Sequence, residues 1–224
     1  MQGNLFQFCL FFGLIFSAIY FLLGRPREEY KRTHKVVFGV LMLTFLAEVI
    51  WKVAVEINLD SFLLYNLLFV HLRVATMLVF FYYLPFSCQI QDKILLALVV
   101  FLVSSLVISL FLQPANVMIQ SYSQMFGNGL ILFFSLIFFK DIIRQSKYKE
   151  HNLLSLPYFW IATFVLFSFG ESFIFYFFSS LFFPSNLYDL GFIQIFVQFF
   201  AGLMFLVFGV AFYIPDYLQA KRSA

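Results

Sequence analysis

Seven apolar runs, at 5–23, 36–57, 61–83, 94–112, 122–140, 157–180 and 190–214, take up most of this 224-residue chain. Crossing a hydrocarbon layer roughly 30 Å thick takes about 20 residues of helix. Inside that layer backbone polar groups find partners only within a helix or a closed barrel. Barrel strands would alternate polar and apolar residues; these runs do not, so they are read as helices. Composition agrees, with 63% of residues hydrophobic and only 11% charged, against roughly a quarter charged in soluble domains. The expected fold is an all-α integral membrane protein in which residues 1–224 form one seven-helix domain.

Charge between the runs sets the orientation. Twelve of the 14 Lys and Arg residues fall in alternate connections and the tail. The first connection, "GRPREEYKRTHK", holds Arg25, Arg27, Lys31, Arg32 and Lys35, and the third holds Lys93. The fifth holds Lys140, Arg144, Lys147 and Lys149, and the tail Lys221 and Arg222; the other three connections hold none. Basic loops stay cytoplasmic, which predicts an outside amino end, a cytoplasmic carboxyl end and a multi-pass place in the cytoplasmic (inner) membrane. The first run lacks a basic leader, so it reads as a retained helix rather than a signal peptide. On this topology Cys9 and Cys88 belong to opposite halves of the membrane, which argues against a bridge.

Against that apolar background the segment "EVIWKVAVEINLD" at 48–60 is costly. A charge at the centre of a membrane helix costs on the order of 3 kcal/mol or more, so such residues face the bundle interior and have partners. Glu48, Lys52 and Glu56 are spaced by four and share a face, with Glu56 near enough to the outer surface to be hydrated. Counted inward at 1.5 Å per residue, Glu48, His71 and Glu171 reach a similar depth, and Arg73 lies slightly deeper. The expected pairs are Glu48 with Lys52 or Arg73, and Glu171 with Arg73. Asn66, two helical turns from Arg73, shares its face, and Gln194 and Gln198 make a polar stripe on the last helix. This cluster is the candidate ligand, proton or ion site, and helix clamping is the competing explanation, strongest for Lys52, Gln198 and Asn66. Gly127 and Gly129, beside Asn128, are expected to loosen the fifth helix, and Gly170 to admit a neighbour close to Glu171.

An offset of 123 residues maps Glu48 onto Glu171, Tyr65–Asn66–Leu67 onto Tyr188–Asp189–Leu190, and His71 onto Gln194. One reading is a parallel 3+1+3 repeat, 1–90 and 122–218 with 94–112 as linker helix, and a site between the repeats. The other is chance alignment of Phe- and Leu-rich helices.

Several chemistries find no residues here. His34 and His151 are expected in cytoplasmic loops and His71 in the bilayer, so the three cannot share a zinc ion. Neither HExxH nor GxSxG occurs, and 190–214 has no lysine for a retinal Schiff base. No metal or cofactor is expected, nor any catalytic residue unless Glu48 and Glu171 act as an acid and base pair. The basic loops suit an anionic inner leaflet or a cytoplasmic protein partner; a homo-oligomer is compatible, and nucleic acid is not expected.

The layout resembles the seven-helix sensory module found ahead of bacterial histidine kinases. The likeness lies in a short basic loop after the first helix, a second helix with Trp51 and an acidic residue near its outer end, and a third helix closing in "YYLP" at 82–85. No kinase follows in these residues, so the resemblance implies output through a separate partner. The 3+1+3 layout is also similar to the small seven-helix sugar transporters, although their Pro-Gln signature is missing. Three functions follow: a sensory or regulatory protein with an intramembrane pocket, a small-solute transporter or channel using the same pocket, and a structural subunit of a membrane assembly.

Overall fold

A computed structural model describes residues 3–23, 28–59, 61–116, 119–144, 153–182, 191–215 and 217, with side chains in those ranges except at 3–4, 175–182 and 191–194. Its seven long helices are α1 (Gly3–Leu22), α2 (Glu28–Glu56), α3 (Phe62–Tyr82), α4 (Cys88–Phe111), α5 (Ser121–Arg144), α6 (Pro157–Phe182) and α7 (Gly191–Val210). All seven are long and apolar enough to cross a membrane. Among the described residues there are no strands.

Polarity is distributed inside out. Large apolar side chains such as Phe8, Phe12, Leu96, Val103, Leu110, Phe133 and Phe167 are exposed, whereas Thr44, Asn66, Arg73, Gln124, Asn128 and Ser168 are buried. Water would penalise that arrangement; lipid requires it, since a polar group facing hydrocarbon has no partner.

The helices follow one another around a ring. Each packs on its neighbours in the chain, and α1 closes the ring against α7 in the most extensive contact of all. Small residues permit that closure. A Cβ added at Gly209 would stand 2.6 Å from the Cα of Gly13, and one at Gly13 would collide with the backbone carbonyl of Phe205. Two turns from Gly209 along α7, Gly202 lies against Cys9 and the Cα of Phe6. In lipid, close backbone approach of this kind is a main source of helix association. Helix α4 stands outermost: only Ile94, Phe101 and Ser105, one narrow stripe, are buried on it, and α3 passes behind it to reach α5.

Two features depart from the sequence expectation. Helix α2 begins eight residues before its apolar run. Glu28 and Glu29 in its first turn complement the positive helix end, and Lys31 bonds Glu28 at 2.9 Å. Lys31, Arg32 and Lys35 therefore ride on a helix, not in a loop, and Lys140 and Arg144 likewise belong to α5; Arg25, Arg27, Lys147 and Lys149 lie outside the described residues. For the same reason His34 is not a loop residue: it is buried, hydrogen-bonded to Ser17 at 3.1 Å and packed on Tyr20 and Phe212. His151 lies outside the described residues.

The second departure is inside α3, where Asn66–Leu72 is π-helical. A π ladder turns more slowly than 3.6 residues per turn, so seven residues no longer make two turns and Asn66 leaves the face of Arg73. It faces the α4–α5 connection instead, where its amide donates to the Ala115 carbonyl at 2.8 Å and accepts from the Gln120 N–H at 3.1 Å.

Candidate ligand cavity

Six helices, all but α4, wall a cavity of about 380 Å³. From α1 come Phe6 and Gln7, from α2 Glu48, and from α3 Tyr65, Phe69 and Arg73, which at a spacing of four stay on one side of their helix. Helix α5 adds Gln124 and Asn128, α6 adds Ser168, Phe169 and Ser172, and α7 adds Val197, Gln198, Ala201 and Met204. The cavity is thus polar in its inventory while the outside of the bundle is apolar.

Arg73 reaches inward with its guanidinium carbon 3.8 Å from the centre of the Phe69 ring and 5.5 Å from that of Phe169. Packing between two rings fixes the plane of the guanidinium and suits a planar, forked acceptor. Opposite it on α2, Glu48 lies within the electrostatic reach of both Lys52 and Arg73. The Gln7 amide accepts from the Lys52 ammonium at 2.5 Å and comes within hydrogen-bonding reach of the Glu48 carboxyl. Gln7 and Glu48 also border an apolar groove of about 390 Å³ between α1 and α2, with Lys52 on its rim, so they form the partition between groove and cavity.

The most telling residues are on α5. Asn128 is 0% exposed and both its amide atoms lack a hydrogen-bond partner among the described residues; Gln124 is 4% exposed and its Oε1 is likewise unmet. Buried polar atoms are nearly always bonded, so the three unmet atoms of these two side chains are available to whatever occupies the cavity. No family model, curated protein or solved structure matches this chain. Function has to be argued from the cavity itself.

Of the residues singled out from sequence, Glu48, Arg73 and Gln198 line the cavity. Lys52 sits on the outer side of α2, tied to Gln7. His71 turns away, its Nδ1 3.0 Å from the Asn66 carbonyl and its ring 6.4 Å from that of Phe101 on α4. The expected Glu171–Arg73 pair is not formed. Phe169 faces Arg73 on α6, two residues are about 200° round a helix, and Glu171 is left with its Oε2 buried and unbonded. The side chain of Gln194 lies outside the described residues.

Sequence reasoning passed over Gln7, Tyr65, Gln124, Ser168 and Ser172. One signal was available: Gln124 and Asn128 are amides four apart in the membrane-spanning part of a helix. The glycines beside them act differently from expectation. A Cβ at Gly127 would stand 2.8 Å from Val74 and 2.9 Å from Phe101, so this glycine draws α5 tightly onto α3 and α4. Among the described residues Gly170 meets only Leu132, at an ordinary 3.7 Å, with no close approach near Glu171. Among the described residues no three His, Cys, Asp or Glu side chains gather as metal ligands.

Proposed function

We propose that this is a membrane sensory or regulatory protein that binds a small polar molecule in the six-helix cavity and passes the event to a cytoplasmic partner. The unmet amides of Gln124 and Asn128 carry this reading. A structural clamp would direct such groups at one another; here they face open space. Helix geometry supports the second half. Glu48 is 13 residues from Lys35 along α2, and Asn128 is 12 from Lys140 along α5, which is roughly 20 Å of rigid helix in each case. A ligand that draws α2 and α5 together would shift both basic helix ends at once. Those ends, and the carboxyl end, are taken as cytoplasmic on the charge asymmetry, and the membrane as a bacterial inner membrane on the resemblance to kinase-linked sensory modules. The layout shared with kinase-linked sensory modules points the same way.

A small-solute transporter is the second reading, favoured by one observation: α4, the linker in a 3+1+3 arrangement, is the helix that takes no part in the cavity. Purification in mild detergent followed by mass spectrometry of whatever remains bound separates the two. Sensing predicts a stoichiometric soluble protein together with a small molecule; transport predicts the small molecule without it, and uptake of that molecule into proteoliposomes. Recovery of neither partner nor small molecule would sink both.

A further inference from the structure

We infer that the cavity takes an uncharged small molecule that turns two hydrogen-bond donors and one acceptor toward α5, the pattern of a primary carboxamide or of two neighbouring hydroxyls. This rests on the ligand-binding reading above and narrows it to a chemical class.

The unmet atoms of α5 set the pattern. Its side of the cavity carries two buried acceptors with no partner among the described residues, Gln124 Oε1 and Asn128 Oδ1, and one unmet donor group, Asn128 Nδ2. An occupant that satisfies all three has to donate twice and accept once. Turning the Asn128 amide over exchanges its two atoms and leaves that complement unchanged. Side chains four apart on a helix are neighbours, with Cβ atoms roughly 5–6 Å apart, so one small group can reach both. A carboxamide does so with its NH2 and its carbonyl, and a diol with two O–H donors and a hydroxyl oxygen.

Charge excludes the ions. Among the described lining residues only Glu48 and Arg73 are charged, one of each sign, and both are already engaged. Glu48 has Gln7 within hydrogen-bonding reach and Lys52 and Arg73 within electrostatic reach. Arg73 packs over Phe69 and Phe169 and has an interaction beyond those rings. The wall is therefore balanced without a ligand. A lone cation or anion would add net charge to a low-dielectric interior, where an uncompensated charge is expensive. What α5 lacks is hydrogen bonds, and a neutral molecule supplies them without that cost.

Size limits the rest. About 380 Å³ is near the lower end of ligand pockets, roughly 300–1,000 Å³, which excludes a bulky cofactor or a whole lipid. Phe6, Val197 and Met204 supply apolar wall for the remainder of the molecule, and Ser168 and Ser172 add hydroxyls from α6.

The test uses the full chain in nanodiscs and probes in matched pairs, one neutral and one charged at nearly the same size. The pairs are nicotinamide with nicotinate, propionamide with propionate, glucose with glucuronate, and glucose with glucosamine. Thermal stabilisation finds a binder and equilibrium binding then compares it with its counterpart. At least one neutral probe is expected to bind, with its charged counterpart weaker by about tenfold or more, the equivalent of about 1.4 kcal/mol. Binding by the amides or by the sugar tells which donor and acceptor pattern is used. Gln124→Met keeps the length of the side chain and removes its polar atoms; it should weaken the neutral probe by about threefold to tenfold. Asn128→Leu should abolish that binding, and either variant serves if the other does not fold. Tighter binding of a charged probe than of its neutral partner, or neutral binding that neither substitution changes, would overturn the assignment and leave ligand binding intact. If no probe binds, the molecule retained from native membranes decides: a neutral one with two donors and an acceptor supports the assignment, and a charged one overturns it. No binding by any probe, with no small molecule retained, would overturn both.

Discussion

Replacing Asn128 by leucine should make the empty protein more stable and useless for binding. The side chain is fully buried, with a donor and an acceptor both unmet. An unmet buried polar atom costs about 1–3 kcal/mol. Counting the desolvation of one amide once rather than twice, removing both atoms gains on the order of 2 kcal/mol. Leucine is larger, but the cavity of about 380 Å³ beside it takes the extra volume without strain. For a chain of this length 1 kcal/mol moves Tm by about 2–4 °C, so Asn128→Leu should raise Tm by about 4–8 °C. Thermal unfolding of ligand-free protein in mild detergent, followed by Trp51 and Trp160 fluorescence, reads this directly. Ligand stabilisation, expected of the parent chain, should vanish in the variant. A lower Tm would refute the reasoning, because it would mean that Asn128 is well bonded in the folded state and contributes to holding the bundle together.

Three further substitutions test the frame. Gly209→Leu should prevent the closure of α1 on α7, because the atoms in its way are backbone and cannot yield; a loss of about 3 kcal/mol or more should appear as loss of monodisperse protein in size-exclusion chromatography. Gly170→Ala, with Leu132 at 3.7 Å the only neighbour among the described residues, should by contrast be neutral or slightly stabilising. Asn66→Ala should unpin the α4–α5 connection by orphaning the Ala115 carbonyl and the Gln120 N–H, lowering stability by about 1–3 kcal/mol. Faster amide exchange confined to 113–116 and 119–120 is the expected signature, and unchanged protection there would count against a pinning role.

The helices were legible because hydropathy over about 20 residues overwhelms every local signal. All seven long helices lie where the apolar runs are. What hydropathy cannot register is helix that continues beyond the apolar layer: the first two turns of α2 are polar in composition, so Tyr30, Thr33 and His34 read as loop although they are buried. The π segment was invisible for another reason. Nothing in "NLLFVHL" announces an i→i+5 ladder; the bonds that go with it run from Asn66 to residues some 50 positions away. Face assignments through α3 failed at that point, and Asn66 with them. On the site, charge drew attention to Glu48 and Arg73, which do line the cavity. It also drew attention to Glu171, whose placement depends on which side of α6 turns toward Arg73, and that is fixed by Phe169 packing on the guanidinium. Uncharged amides carry no comparable signal in a single sequence, yet Gln124 and Asn128 say more about a ligand than the ions do.

The glycine contact between α1 and α7 joins residues nearly 200 positions apart, and this orders events in time. At 5–20 residues per second a ribosome needs roughly 10–40 s to reach Gly209 after releasing Gly13. Throughout that interval the glycine face of α1 has only lipid to meet. Gln7 and Lys52 are available to each other much sooner, so the first two helices can wait as a bonded pair with their polar groups occupied. The cavity has no far wall until α6 and α7 have entered the membrane. A chain halted before then would present Gln124 and Asn128 to hydrocarbon, a fault that membrane quality control is well placed to detect.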